Sequence, residues 1–187
     1  MPSFNLNQVK VGLKIMMGND PCVIVDADFV KPGKGQAFTK IKFKNYRTGR
    51  VNEITMKASD TVEGANVIDT EMQYLFNDGT DWTFMDLETY EQLTASKELL
   101  GDTTRWLIEE DLCLVTLLDG FPIVVTPPNF VVMEIVETDP GVRGDTSGGG
   151  NKPATLVSGA VVRVPLFVQQ GEKVKVDTRT GDYVSRA

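Results

Sequence analysis

Short runs of β-branched and aromatic residues, cut roughly every 8 to 12 residues by glycine, proline or an Asp-Gly pair, run through this chain from end to end. Segments that short and that rich in Val, Ile, Phe and Thr cannot build long helices, and they fit small closed barrels of the SH3 or OB kind. The expected fold class is therefore all-β. Cys22-Val-Ile-Val-Asp-Ala-Asp-Phe-Val30 and Ala37-Phe-Thr-Lys-Ile-Lys-Phe-Lys-Asn-Tyr46 flank Lys31-Pro-Gly-Lys-Gly-Gln36, which predicts a β-hairpin with an exposed tip. A second hairpin is expected at Asn45 to Thr55 around Arg47-Thr-Gly-Arg50, followed by a connection at Thr61 to Ala65. Further on, Asn77-Asp-Gly79 sits between Met72–Phe76 and Trp82–Met85, a strand-pair signal. Leu87 to Leu93 and Thr104 to Leu112 are the helix candidates, and Asp119-Gly120 separates strands at Leu114–Leu118 and Ile123–Val125. After Pro127-Pro128, strands are expected at Val131–Val136, Ala160–Pro165, Leu166–Val168, Lys173–Val176 and Tyr183–Ser185, with a glycine-rich loop from Asp139 to Asn151.

Charge divides the chain in the same places as the turn signals. Residues 1–64 carry 10 Lys and Arg against 6 Asp and Glu, residues 65–128 carry 2 against 13, and residues 129–187 carry 7 of each. Three small domains with these bounds are expected: 1–64, 65–128 and 129–187. The net charge of −7 argues against a nucleic-acid partner, but phosphate binding depends on the face presented and not on the whole chain. Lys40, Lys42 and Lys44 alternate with Ile41 and Phe43, so at strand periodicity the three ammonium groups share one face, spaced about 6.7 Å apart. Such a row suits an RNA backbone, and it equally suits an edge strand blunted by lysine.

The absence of histidine from the chain removes the Ser-His-Asp triad, the Cys-His dyad and histidine-ligated zinc from consideration. The two cysteines, Cys22 and Cys113, each lie in an apolar run and read as reduced core thiols. Glu109-Glu110-Asp111 is the one tight group of acids, and three consecutive residues cannot share a helix face. Neither Gly33-Lys34-Gly35 nor Gly144-Asp-Thr-Ser-Gly-Gly-Gly150 opens a helix, so neither is a nucleotide loop. Neither a metal nor a cofactor is expected. No leader pattern and no run near the ~18 apolar residues of a membrane span are present, so a soluble, cytoplasmic protein is expected.

Lys34 stands between two glycines with Pro32 just before it, at the most exposed point of the hairpin. An exposed turn lysine needs no function, but the same apex could present its amine to a modifying enzyme and then to a narrow site. The surrounding stretch Phe29-Val-Lys-Pro-Gly-Lys-Gly-Gln-Ala-Phe38 resembles the apical hairpin of the bacterial translation elongation factor P family. Asn151-Lys-Pro-Ala-Thr-Leu-Val-Ser-Gly-Ala-Val-Val-Arg-Val-Pro-Leu-Phe-Val-Gln-Gln-Gly171 resembles that family's C-terminal signature, and Thr126-Pro-Pro-Asn-Phe-Val131, Glu137-Thr-Asp-Pro-Gly141 and Tyr183-Val-Ser-Arg186 match as well.

The resemblance implies a KOW/SH3-like N-terminal barrel and two OB-type barrels in an elongated, L-shaped, tRNA-like arrangement. It implies a non-enzyme that binds the ribosome between the peptidyl and exit sites and relieves stalling at consecutive prolines. The tip, Lys31, Pro32, Gly33, Lys34, Gly35 and Gln36, would reach the peptidyl-transferase centre beside the CCA end of the peptidyl-tRNA. Lys34 would be lengthened by β-lysylation, sometimes with hydroxylation, by a dedicated lysine-modifying enzyme. Gly144, Asp145 and Thr146 would approach the exit-site codon. Lys40, Lys42 and Lys44, with Tyr183 and Arg186 near the C-terminus, are candidate RNA contacts on a monomer that needs no membrane. Two other classes remain to be weighed: an OB-type single-strand binder, which needs exposed aromatic platforms, and a carboxylate enzyme, for which no constellation is present.

Overall fold

The computed structural model describes residues 2–140 and 150–187. The chain divides into two compact units, Met1–Thr70 with Val115–Val124, and Glu71–Leu114 with Val125–Ala187. Three antiparallel sheets run through them, and regular helix among the described residues is confined to Lys97–Leu100 and a 3-10 helix at Gly101–Trp106. The all-β expectation holds.

The first sheet contains β1 (Ser3–Asn5), β2 (Lys14–Met17), β3 (Asp20–Val30), β4 (Phe38–Asn45), β5 (Val51–Lys57) and β6 (Thr61–Gly64), in the order β1-β6-β2-β3-β4-β5. Its core is Leu6, Ile15, Cys22, Ile24, Ile41, Phe43, Met56 and Val62. Along β4 burial alternates at every residue from Thr39 to Asn45, with Lys40, Lys42 and Lys44 outward as the period-two reading requires. Residues Thr61–Gly64, expected as a connection, form a strand that pairs with both β1 and β2. Val62 alone points into the core there, too brief an alternation to read. Gly64 donates its N–H to Pro2 O at 2.7 Å, and a Cβ at that position would lie 2.7 Å from Phe4 Cε2 and 2.9 Å from Pro2 Cγ. Only glycine lets the two backbones approach so closely.

The second sheet, in the order β11-β10-β7-β8-β9, is made of β7 (Val67–Asn77), β8 (Asp81–Met85), β9 (Gln92–Ser96), β10 (Leu112–Leu118) and β11 (Phe121–Thr126). Asn77-Asp-Gly79 turns β7 into β8 as expected. Asp78 Oδ1 accepts from Asp81 N and Thr80 N at 2.8 and 2.9 Å, and these donors hold its carboxyl below the usual range. The first of the two helix expectations fails. Leu87 to Leu93 is a turn leading into β9, because Asp86 Oδ1 accepts from Glu88 N and Thr89 N and so offers the backbone an alternative to a helix. The second, Thr104–Leu112, is helical only over Thr104–Trp106, the end of a 3-10 helix that begins at Gly101. Ser96 caps α1 (Lys97–Leu100) by accepting from Leu99 N, the 3-10 helix follows, and Leu107 leaves it in extended conformation.

The third sheet runs β14-β13-β12-β15-β16, from β12 (Phe130–Thr138), β13 (Asn151–Leu156), β14 (Val161–Pro165), β15 (Lys173–Asp177) and β16 (Asp182–Arg186). Its core is closed by Val131, Met133, Ile135, Leu156, Val162, Val164, Val174 and Val176, and also by Trp106 from the 3-10 helix, with Ile108 packed alongside. Strands resume at Asn151–Leu156, ahead of the expected Ala160 and despite Pro153. The buried Lys152 there donates Nζ to Asp139 O. Leu166 to Val168, expected as a strand, is a turn in which Val168 N donates to Pro165 O.

Candidate nucleic-acid interface

Strands β3 and β4 form the expected hairpin, paired without a gap from Asp26↔Lys42 to Val30↔Phe38. Below that stretch, Val25 is an extra residue between Ile24 and Asp26, a β-bulge that changes which residues face the core. Beyond Ala27 the ladder outruns the core, and Phe29 is 54% exposed. Residues 31–37 close the hairpin, and among the described residues no hydrogen bond outside the sheet ladders ties them to another part of the chain. Lys31, Gly33, Lys34, Gly35 and Gln36 are exposed, while Pro32 is half-buried. Gly35 has φ of +118°, where a side chain would be strained, and a Cβ there would touch Pro32 Cγ at 3.7 Å. Gly33 has no such demand: nothing lies within 4 Å of where its Cβ would be.

The lysine row is not a uniform basic strip. Lys40 stands between Asp28 on β3 and Thr55 on β5, and Lys42 between Asp26 and Glu53, with Lys42 Nζ 3.4 Å from Asp26 Oδ2. Lys44 stands between Val23 and Val51. Charge along β4 is thus compensated in the middle and uncompensated at its far end. The sequence showed the lysines but not their cross-strand neighbours.

Where the first sheet meets β7 and β10, four side chains converge. Lys14 Nζ donates to Val67 O at 3.0 Å and lies 3.3 Å from Asp69 Oδ2, while Thr116 Oγ1 donates to Asp69 Oδ1 at 2.7 Å. Burial first, and then the Asp69 charge, raises the pKa of the nearby Tyr46 phenol. No motif marks this junction in the sequence. Asp69→Ala strips the buried Thr116 hydroxyl of its acceptor, and a loss of about 1–2 kcal/mol is expected in urea unfolding. Asp69→Asn keeps an acceptor for Thr116 and should lose less; equal losses would place the effect in the half-exposed ion pair instead.

Near the C-terminus, Tyr183 packs against the third core, and Arg186 lies 5.3 Å from the Phe167 ring centroid and 3.5 Å from Glu172 Oε1. These contacts keep Arg186 at the surface and Tyr183 half-sunk. Gly144, Asp145 and Thr146 lie outside the described residues. Both thiols are buried. Burial, helped by the Asp111 charge, pushes Cys113 up to about 12, and burial with the Asp20 charge raises Cys22. A thiolate is the reactive form, so neither cysteine should react with an aromatic disulfide reagent at pH 8 until the protein is unfolded. Stoichiometric labelling of the native protein would contradict this. No three acidic or thiol side chains converge on a metal-sized site among the described residues.

Family comparisons fit this arrangement. Residues 5–62 match the family described as "Elongation factor P (EF-P) KOW-like domain", 67–125 the "Elongation factor P (EF-P) OB domain", and 131–186 "Elongation factor P, C-terminal". A KOW-like domain followed by an OB domain and a C-terminal domain of the elongation factor P kind defines a translation factor. Two curated proteins named Elongation factor P, from Xylella fastidiosa strains M23 and 9a5c, are each 59% identical over 186 residues, covering 100% of this chain and 99% of theirs. The chain belongs to the elongation factor P family and is a translation elongation factor. Among solved structures, "Eukaryotic translation initiation factor 5A from Methanococcus jannaschii" superposes with a TM-score of 0.53 at 26% identity, covering 67% of this chain and 92% of that one.

Proposed function

We propose that the protein binds the bacterial ribosome between the peptidyl and exit tRNA sites and restores peptide-bond formation at consecutive prolines. The observation that carries this reading is the tip: Lys34 is exposed on a loop that no hydrogen bond outside the ladders ties to the other described residues, at the end of a ladder that runs past its own core. Gly33 supports it, because a glycine that no neighbour inside the protein requires is explained by the narrowness of what the tip enters. A stalled prolyl step lacks favourable geometry, since proline fixes φ and offers a secondary amine. Holding the peptidyl-tRNA in an attack-ready arrangement lowers the entropic part of that barrier without acid or base chemistry. The factor is accordingly not an enzyme, and it works as a cytoplasmic monomer.

A modifying enzyme lengthens Lys34 by β-lysylation, extending a compact cation on a flexible stem toward RNA. Lys40, Lys42, Lys44, Tyr183 and Arg186 belong to the RNA-facing surface on this reading, Gly144, Asp145 and Thr146 to the exit-site codon, and the domains are 1–64, 65–128 and 129–187. The test is a purified translation reaction on a message with consecutive prolines. Full-length product should rise when the protein is added and stay unchanged on a proline-free message; equal stimulation of both would refute the assignment. The mass of the Lys34 peptide from the native host reads out the modification separately.

A further inference from the structure

We propose that the β4–β5 turn is the phosphate-gripping site of the first sheet, with Arg47 and Arg50, supported by Lys44, holding an RNA backbone. The inference rests on the ribosomal reading above and adds a site to it. Cross-strand register is its first support: the middle of the lysine row faces Asp26, Asp28 and Glu53, whereas Lys44 has only valines beside it. Among the described residues no carboxylate comes within ion-pair distance of Lys44 or Arg50. Asp20 is the acid that reaches the turn. Its Oδ2 accepts from Asn45 Nδ2 at 2.8 Å, and its Oδ1 lies 3.9 Å from Arg47 Nη1, a loose contact.

The second support is how firmly the turn is built. Asn45, 7% exposed, uses Oδ1 to accept from Arg47 N and Thr48 N at 2.8 and 3.1 Å. Gly49 N donates to Asn45 O, Asn45 N donates to Arg50 O, and Arg50 N donates to Thr48 Oγ1. Gly49 takes φ of +70°, as the turn requires. Two exposed guanidinium groups are therefore presented from a backbone held from both sides, and little ordering entropy is lost when they bind. Arginine's planar fork suits paired phosphate oxygens better than an ammonium does. The turn lies at the opposite end of β4 from Lys34, about 25 Å along the strand. Tip and turn thus grip RNA at two separated points, and the compensated middle contributes little.

The test measures affinity for ribosomes carrying a proline-stalled peptidyl-tRNA across a salt series. The double variant Arg47→Ala/Arg50→Ala should bind roughly 10- to 100-fold more weakly, with the slope of log affinity on log salt reduced by about 1.5. Lys97→Ala, which removes an exposed lysine of α1 outside this sheet, should change binding less than about threefold. The double lysine variant, Arg47→Lys/Arg50→Lys, should recover most of the slope. Undiminished binding by the double alanine variant, or an equal loss in Lys97→Ala, would overturn the proposal. So would weaker binding with an unchanged salt slope, which would point to a protein partner at the turn. Failure of the wild-type protein to bind at all would bring down the ribosomal reading, and this proposal with it.

Discussion

Replacing Lys34 by alanine should lower the rate of synthesis through consecutive prolines at least about tenfold relative to the wild-type factor, close to the rate with no factor present. Tenfold corresponds to about 1.4 kcal/mol of barrier, a modest amount for a group that orders a reacting end. Binding should change far less, because one exposed cation contributes at most about one unit to the salt slope and the rest of the surface is untouched. The fold should not change: Lys34 is exposed, and among the described residues no hydrogen bond outside the sheet ladders ties residues 31–37 to the rest of the protein. The informative quantity is therefore the ratio between the loss in rate and the loss in affinity. Equal losses would make Lys34 a binding residue only. A normal rate would remove the tip from the mechanism altogether.

Trp106→Ala should reduce the stability of the protein by about 3–5 kcal/mol in denaturant titration. Few exchanges outside a barrel could cost its core so much. Trp106 comes from the 3-10 helix that follows β9, yet its indole is counted among the side chains that close the third core, with Ile108 beside it. Its Cζ2 lies 3.7 Å from where a Cβ on Gly181 would be, and the Arg105 guanidinium lies 5.9 Å from its ring. Removing it opens a cavity in the third core, and against a typical total of about 5–15 kcal/mol such a loss brings the unit near its threshold. A loss under about 1 kcal/mol would mean that the third barrel closes without it.

Trp106 also marks where the sequence stops being informative. The hairpins at Asn77-Asp-Gly79 and Asp119-Gly120 were legible because turn chemistry is local, and the β4 alternation was legible because its period is two. Leu87 to Leu93 is a helix candidate in the sequence and a turn in the structure, because Asp86 bonds the backbone of Glu88 and Thr89. That Trp106 belongs to the core of a sheet beginning at Phe130 is a tertiary fact with no local trace. The same holds at the site. The Lys34 apex stood out by its glycines, but Asp26, Asp28 and Glu53 alongside the β4 lysines appear only once register is known, and Asn45's role in the turn only once its bonds are seen.

The junction of Lys14, Asp69 and Thr116 has a mechanical consequence. A hairpin that projects beyond its core behaves as a cantilever, and the wander of its free end depends on the stiffness of its root as well as of its shaft. The root here is braced by β2, whose Lys14 pairs with Val23 on β3 and bonds the Asp69 carboxylate that also accepts from β10. Loosening that brace would leave every residue at the tip in place while widening the volume over which Lys34 drifts, a loss of aim that no substitution at the tip itself could reproduce.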